Sequence, residues 1–143
     1  MWHVVLFNPE IPPNTGNVIR LCANSGAQLH LIEPLGFDLD HAKLRRAGLD
    51  YHEYANLQLH ESWQDCLAHF GERRIFAMTT KGTVRYDRIA YQAGDAFLFG
   101  QESAGLPEAV RNGIAAERRI KLPMRPDNRS LNLSNAVAVT VFE

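Results

Sequence analysis

The sequence predicts an α/β fold, a mainly parallel sheet with helices on both faces. Two observations carry this. Short strand-like runs recur at residues 3–7, 28–32, 75–78, 95–99 and 119–122, the first apolar and β-branched and the fourth apolar after Asp95, as expected of strands in a buried sheet. Between most of them lie segments of helical period bounded by capping residues and glycine stops, so strand and helix alternate as in βαβ units. A length of 143 residues, 45% hydrophobic and 22% charged, suits a single domain spanning 1–143 with one core.

The elements follow in order. Residues 3–7 form a buried strand. Residues 8–13 hold three prolines, which restrict φ and predict an ordered, non-helical loop. Asn14 or Thr15 then caps a helix that runs to Ser25 and stops at Gly26. Along it Asn17, Arg20 and Asn24 make a polar stripe opposite Val18, Leu21 and Cys22. After the second strand, Asp38 or Asp40 caps a short basic helix through Ala47 that Gly48 ends. Residues 51–59 read as extended. Ser62 caps a helix to Phe70, which Gly71 terminates, and 79–82 read as a turn after the strand at 75–78. Following the strand at 95–99, Pro107 suits the first position of a short helix ending near Asn112 and Gly113. The strand at 119–122 stops at Pro123, and Ser134 caps a final apolar helix.

Several functions are excluded by composition and spacing. No apolar run approaches the roughly twenty residues that span a bilayer, and the N-terminus lacks the basic start of a signal peptide, so a cytoplasmic location is expected. Cys22 and Cys66 are expected to be buried, reduced thiols. A net charge of −1 argues against bulk electrostatic binding of nucleic acid, although Arg118, Arg119, Lys121, Arg125 and Arg129 form a local basic group. Gly100 and Gly105 have the spacing of a phosphate loop, but Leu106-Pro107 replaces its Lys-Ser/Thr. Ser103 lies three residues after Gly100 and does not fit a hydrolase elbow. No histidine pairs with another His or Cys at ligand spacing, so no metal is expected. What remains is three polar loops after strands, at 8–17, 100–105 and 122–135. Rich in Asn, Ser, Arg and backbone amides, they suit a ligand that is held by hydrogen bonds and brings its own chemistry.

Those same stretches, NPEIPPNTGNVIR from Asn8, FGQESAGLP from Phe99 and LPMRPDNRSLNLSNA from Leu122, resemble the three signature motifs of the SPOUT methyltransferases. Within that superfamily the chain is similar, over essentially its whole length, to the TrmL-like group, bacterial 2'-O-methyltransferases of the tRNA wobble nucleotide. The resemblance implies a SPOUT fold with a C-terminal trefoil knot, S-adenosyl-L-methionine as cofactor, a homodimer, and the tRNA anticodon stem-loop as partner. Position by position it implies cofactor binding at Met78, Gly100, Leu122, Ser130 and Leu131, with Met78 and Leu122 as apolar walls for adenine. It places Arg20 at the centre of the reaction, with Asn17, Glu102, Asn132 and Asn135 orienting Arg20, cofactor or ribose. An arginine is a poor base because guanidinium stays protonated, so the expected role of Arg20 is a clamp on the phosphate beside the target. Phe142 stands where many relatives have Tyr, and relatives continue the last helix beyond Glu143, which implies an incomplete C-terminal helix and bears on dimer strength. Alternatives are a 2'-O-methyltransferase of ribosomal RNA, a catalytically silent RNA-binding module, and a regulatory domain that binds the adenosyl ligand without RNA.

Overall fold

The computed structural model describes residues 1–46, 48–121 and 133–142. Its elements in chain order are β1 (His3–Phe7), α1 (Pro12–Ser25), β2 (Gln28–Ile32), α2 (His41–Arg46), α3 (Tyr51–Tyr54), β3 (Gln58–His60), α4 (Trp63–Phe70), β4 (Ile75–Met78), β5 (Val84–Arg85), β6 (Ala96–Phe99), α5 (Glu108–Asn112), β7 (Arg119–Lys121) and α6 (Leu133–Phe142). The strands form one sheet in the order β3-β2-β1-β6-β4-β7-β5. Every pairing among them is parallel.

Side chains alternate across this sheet, so each strand supplies two cores. Val4, Leu6, Leu29, Leu31, Phe76, Phe97, Phe99 and Ile120 pack with Val18, Ile19 and Cys22 of α1, Tyr54 of α3, and Leu133 and Val137 of α6. Val5, Ile32, Ala77, Ala96 and Leu98 pack on the other face with Cys66 and Phe70 of α4 and Val110 of α5. Helices therefore cover both faces, as the strand patterning requires. Cys22 and Cys66 are buried free thiols, one in each core, and burial pushes both up to about 12.

Local structure departs from the sequence expectations at several points. α1 begins at Pro12, with Pro12 and Pro13 opening it and Ile11 as its cap. Two prolines are tolerated there because the first helical N–H groups have no intrahelical partner to lose. Asn14 and Thr15, expected as caps, are buried within the first turn. The segment 51–59, expected to be extended, divides into α3 and β3. β5, two residues long, lies in a stretch read only as following a turn. Pro107 is the cap of α5 instead of its first residue, and α6 begins at Leu133, one residue before the expected cap Ser134. The expected C-terminal knot depends on a segment that includes residues 122–132, which lie outside the described residues. Among the described residues, no helix is long and apolar enough to cross a membrane.

Candidate functional site

From β1 the chain winds through β2 and β3 to one edge of the sheet, while β6, β4, β7 and β5 lie on the other side of β1. The order in which the chain adds strands therefore reverses between β1 and β6, although all strands run parallel. In parallel α/β sheets ligands collect beyond the carboxyl ends of the strands at such a point. Here the two loops that flank it are the polar ones after Phe7 and Phe99.

They are fastened to each other. The amide of Glu10 donates to Glu102 Oε2 at 2.8 Å. In return the amide and hydroxyl of Ser103 donate to Glu10 Oε1 at 3.0 and 2.6 Å. Those two donors hold the Glu10 carboxyl below its ordinary value, because hydrogen bonds to the charged form favour it. The loop after β6 is itself closed by an antiparallel bridge, with Gln101 N to Gly105 O at 3.2 Å and Gly105 N to Gln101 O at 2.9 Å. Leu106, buried, pins its far end to the core. A Cβ on Gly100 would lie 2.2 Å from the carbonyl carbon of Gly105 and 2.3 Å from the amide nitrogen of Leu106. Gly100 is thus demanded by the loop's own backbone, before any ligand is considered.

Neighbouring loops complete the wall. Asn8, at φ +44°, ties the loop after β1 to the end of β2 through Ile32 O. Gly36 donates to Pro9 O at 2.9 Å, and a Cβ on it would lie 2.9 Å from the Cα of Glu10. On the other side Thr79 N and Thr83 N bond Ile120 O and Arg119 O, folding the loop after β4 over β7.

The structure brings part of the predicted site together. Met78 ends β4 with Phe99 and Ile120 as its register partners, so Gly100 and the chain leaving β7 lie at adjacent strand ends. Glu102 is half-buried beside them; its Oε1 is buried and finds no donor among the described residues. A buried carboxylate oxygen left unbonded is costly. This one is suited to a hydroxyl or cationic donor from a ligand. Asn17 and Arg20 are exposed on α1, and Asn135 is exposed on α6. Arg20 does not reach the latched loops: its Nε donates to Glu53 Oε2 at 2.9 Å and its Nη2 to Gly48 O. Leu122, Ser130, Leu131 and Asn132 lie outside the described residues.

Sequence reasoning missed the Glu10–Ser103 latch, which joins residues 93 apart and leaves no local trace. It also missed Glu53. There the acidic pair Asp50 and Glu53, three apart, was an available signal of a helix start. Among the described residues no group of three or more His, Cys, Asp or Glu is placed to hold a metal ion.

Comparison with known proteins gives the family. A model of the SpoU rRNA Methylase family matches residues 1–142. The chain is 59% identical over 143 residues to a tRNA (cytidine(34)-2'-O)-methyltransferase of Methylovorus glucosotrophus (strain SIP3-4), covering all of this chain and 93% of that protein. It is 61% identical over 145 residues to one of the same name from Burkholderia pseudomallei (strain 1106a), again covering 100% and 93%. A solved structure described as giving insight into the 2-OH methylation of C/U34 on tRNA superposes with a TM-score of 0.90 at 45% identity, covering 99% of this chain and 92% of that one. The chain belongs to the SpoU methylase family.

Proposed function

We propose that the protein is a single-domain, S-adenosylmethionine-dependent methyltransferase that methylates the ribose 2'-hydroxyl of the tRNA wobble nucleotide, cytidine or a modified uridine at position 34. The observation that carries this is the pair of latched loops at the β1/β6 switch point, with the unbonded Glu102 oxygen in the loop that leaves β6 next to the end of β4. The names of the relatives supply the reaction and the substrate.

The residues fit the cofactor. Bound there, S-adenosylmethionine supplies an electrophilic methyl group on a sulfonium centre. Met78 offers an apolar wall, backbone of the loop after Phe99 offers hydrogen-bonding groups, and Glu102 offers a carboxylate oxygen to a hydroxyl or cation. The protein's own contribution is positioning. Arg20 clamps the phosphate next to the target ribose, and Asn17 and Asn135, exposed on adjoining helices, orient the RNA. Leu122, Ser130, Leu131 and Asn132 complete the cofactor and ribose contacts. Because the partners of Arg20 belong to the α2–α3 side, Arg20 serves the crevice of a second copy in a cytoplasmic homodimer that grips the anticodon stem-loop.

Arg20→Ala tests the reading. Methylation of tRNA is expected to fall about 100-fold or more in kcat/KM, with S-adenosylmethionine affinity unchanged by calorimetry. Wild-type turnover in that variant removes Arg20 from the mechanism. Incubation with labelled cofactor and total RNA, followed by mapping of the methylated nucleotide, is expected to place the label at position 34 of tRNA; label in ribosomal RNA alone would replace the substrate proposed here.

A further inference from the structure

The geometry points to Glu53, on α3, as a positioning residue that aims Arg20 at its phosphate. The inference rests on the reading of Arg20 as a phosphate clamp. Arg20 and Glu53 are brought together from different elements, 33 residues apart. The Glu53 carboxylate is divided between two jobs. Its Oε1 accepts from the amide of Asp50 at 3.0 Å, which fixes the carboxylate to the first turn of α3. Its Oε2 accepts from Arg20 Nε at 2.9 Å. Both donors hold the Glu53 carboxyl below its ordinary value, the backbone amide foremost.

A second contact makes the arrangement directional. Arg20 Nη2 donates to the carbonyl of Gly48, in the turn that precedes α3. Nε and Nη2 define one edge of the guanidinium, and both are now used. A planar guanidinium with one edge held cannot rotate, so its orientation is set by the two acceptors. The edge that remains is the terminal fork of Nη1 and Nη2, and among the described residues nothing bonds Nη1. That fork carries two parallel N–H bonds, the geometry that meets two oxygens of a phosphate. Exposure agrees with this division: the Glu53 side chain is 18% exposed while that of Arg20 is 48% exposed. The carboxylate is sheltered and the cation is half in solvent.

An ion pair this open adds little to folding stability. Its consequence is orientational. Without Glu53 the long arginine side chain samples many rotamers, and each productive encounter with RNA must first select one.

Glu53→Gln separates the two jobs. The amide oxygen of the substituted side chain retains the bond from Asp50, and its NH2 group is set against the Nε–H of Arg20, donor against donor. Steady-state methylation of an anticodon stem-loop RNA is expected to show kcat/KM reduced about 10- to 100-fold, with the thermal midpoint and the calorimetric affinity for S-adenosylmethionine unchanged. Glu53→Asp, which keeps the charge but shortens the reach by one methylene, is expected to fall between wild type and Glu53→Gln. In an Arg20→Ala background Glu53→Gln is expected to have no further effect. Wild-type kcat/KM in Glu53→Gln while Arg20→Ala is impaired overturns the role of Glu53 alone. Losses that multiply in the double variant also overturn it, since Glu53 would then act independently of Arg20. Wild-type turnover in Arg20→Ala overturns the clamp itself and this inference with it.

Discussion

Gly100 has no room for a side chain because backbone of its own loop, Gly105 and Leu106, occupies the space where a Cβ would point. Backbone held in a closed bridge cannot give way as the end of a flexible side chain can. Gly100→Ala is therefore expected to open the Gln101–Gly105 bridge, destabilise the fold by about 1 to 3 kcal/mol, and weaken S-adenosylmethionine binding. A denaturant midpoint and a calorimetric affinity both equal to wild type would show that the loop tolerates a side chain and that the ligand lies elsewhere. The resemblance put Gly100 at the cofactor, whereas the structure shows a nearer demand for glycine. A glycine between a strand and a polar loop signals close approach by something, and only the folded loop identifies Gly105 as the approaching group. Glu102 is comparable. Its motif marked it as part of the site, whereas the division of its two oxygens, one bonded to the Glu10 amide and one unbonded, depends on a loop 92 residues away.

At the scale of elements, β1, β2, β4 and β6 were legible as mostly apolar runs of four or five residues, β7 as the short stretch ahead of Pro123, and α1 and α4 where their period and their glycine stops agreed. The short pieces were not: α3, with four residues, and β5, with two, are too short to show a period, and the packing around them decides their state. Strand register was equally hidden, and it creates an unexpected feature beneath α4. His3, His30 and His60, on β1, β2 and β3, form a line in which His3 Nδ1 lies 2.9 Å from His30 Nε2 and His30 Nδ1 lies 2.9 Å from His60 Nε2. Arg73 Nη1 lies 3.4 Å from His3 Nε2. Guanidinium only donates, so His3 accepts at Nε2 and carries its proton on Nδ1; His30 and His60 then each accept at Nε2. A single tautomer order satisfies the line, with all three rings neutral. Burial holds His3 down at about 4 and His30 at about 3, and lowers His60; Arg73, the N-terminus and His69 further oppose protonation of His3, the neighbouring His3, His60 and His69 with Arg73 that of His30, and His69 that of His60, on which Asp65 acts the other way. These values lie below the 6.5 of a free histidine, so the unfolded chain binds more protons as pH falls from 6.5 towards 4. Stability from these rings is complete above that window and is lost through it, at a rate limited to about 2.7 kcal/mol per pH unit for two protons. Urea midpoints between pH 7 and pH 4.5 are expected to fall more steeply for the wild type than for His30→Leu. Parallel slopes would mean that the rings titrate normally.

Among the described residues, α6 presents an exposed apolar stripe. The inner side of α6 is buried through Leu133, Val137 and Thr140, whereas Asn135, Val139 and Phe142, spaced four and three apart, point outward on one stripe. Val139 is 43% exposed and Phe142 is 68% exposed. Two large apolar side chains on one helical stripe, with Ile11 exposed just ahead of the adjoining α1, suit an apolar contact with another macromolecule. Under the proposed dimer a second copy is the occupant, and it also accounts for Arg20, whose partners Glu53 and Gly48 lie on the α2–α3 side. Which crevice Arg20 serves was not legible in the motifs, because no local pattern states that of an exposed arginine; under the proposed dimer it serves the second copy's. The expected result is that Val139→Asp with Phe142→Asp converts a dimer to a monomer in sedimentation velocity and removes tRNA methylation. Each chain should keep its fold, since neither side chain contributes to the buried core. Full methylation by a demonstrably monomeric variant would place Arg20 and the crevice within one subunit, and a wild type that sediments as a monomer at assay concentrations would do the same.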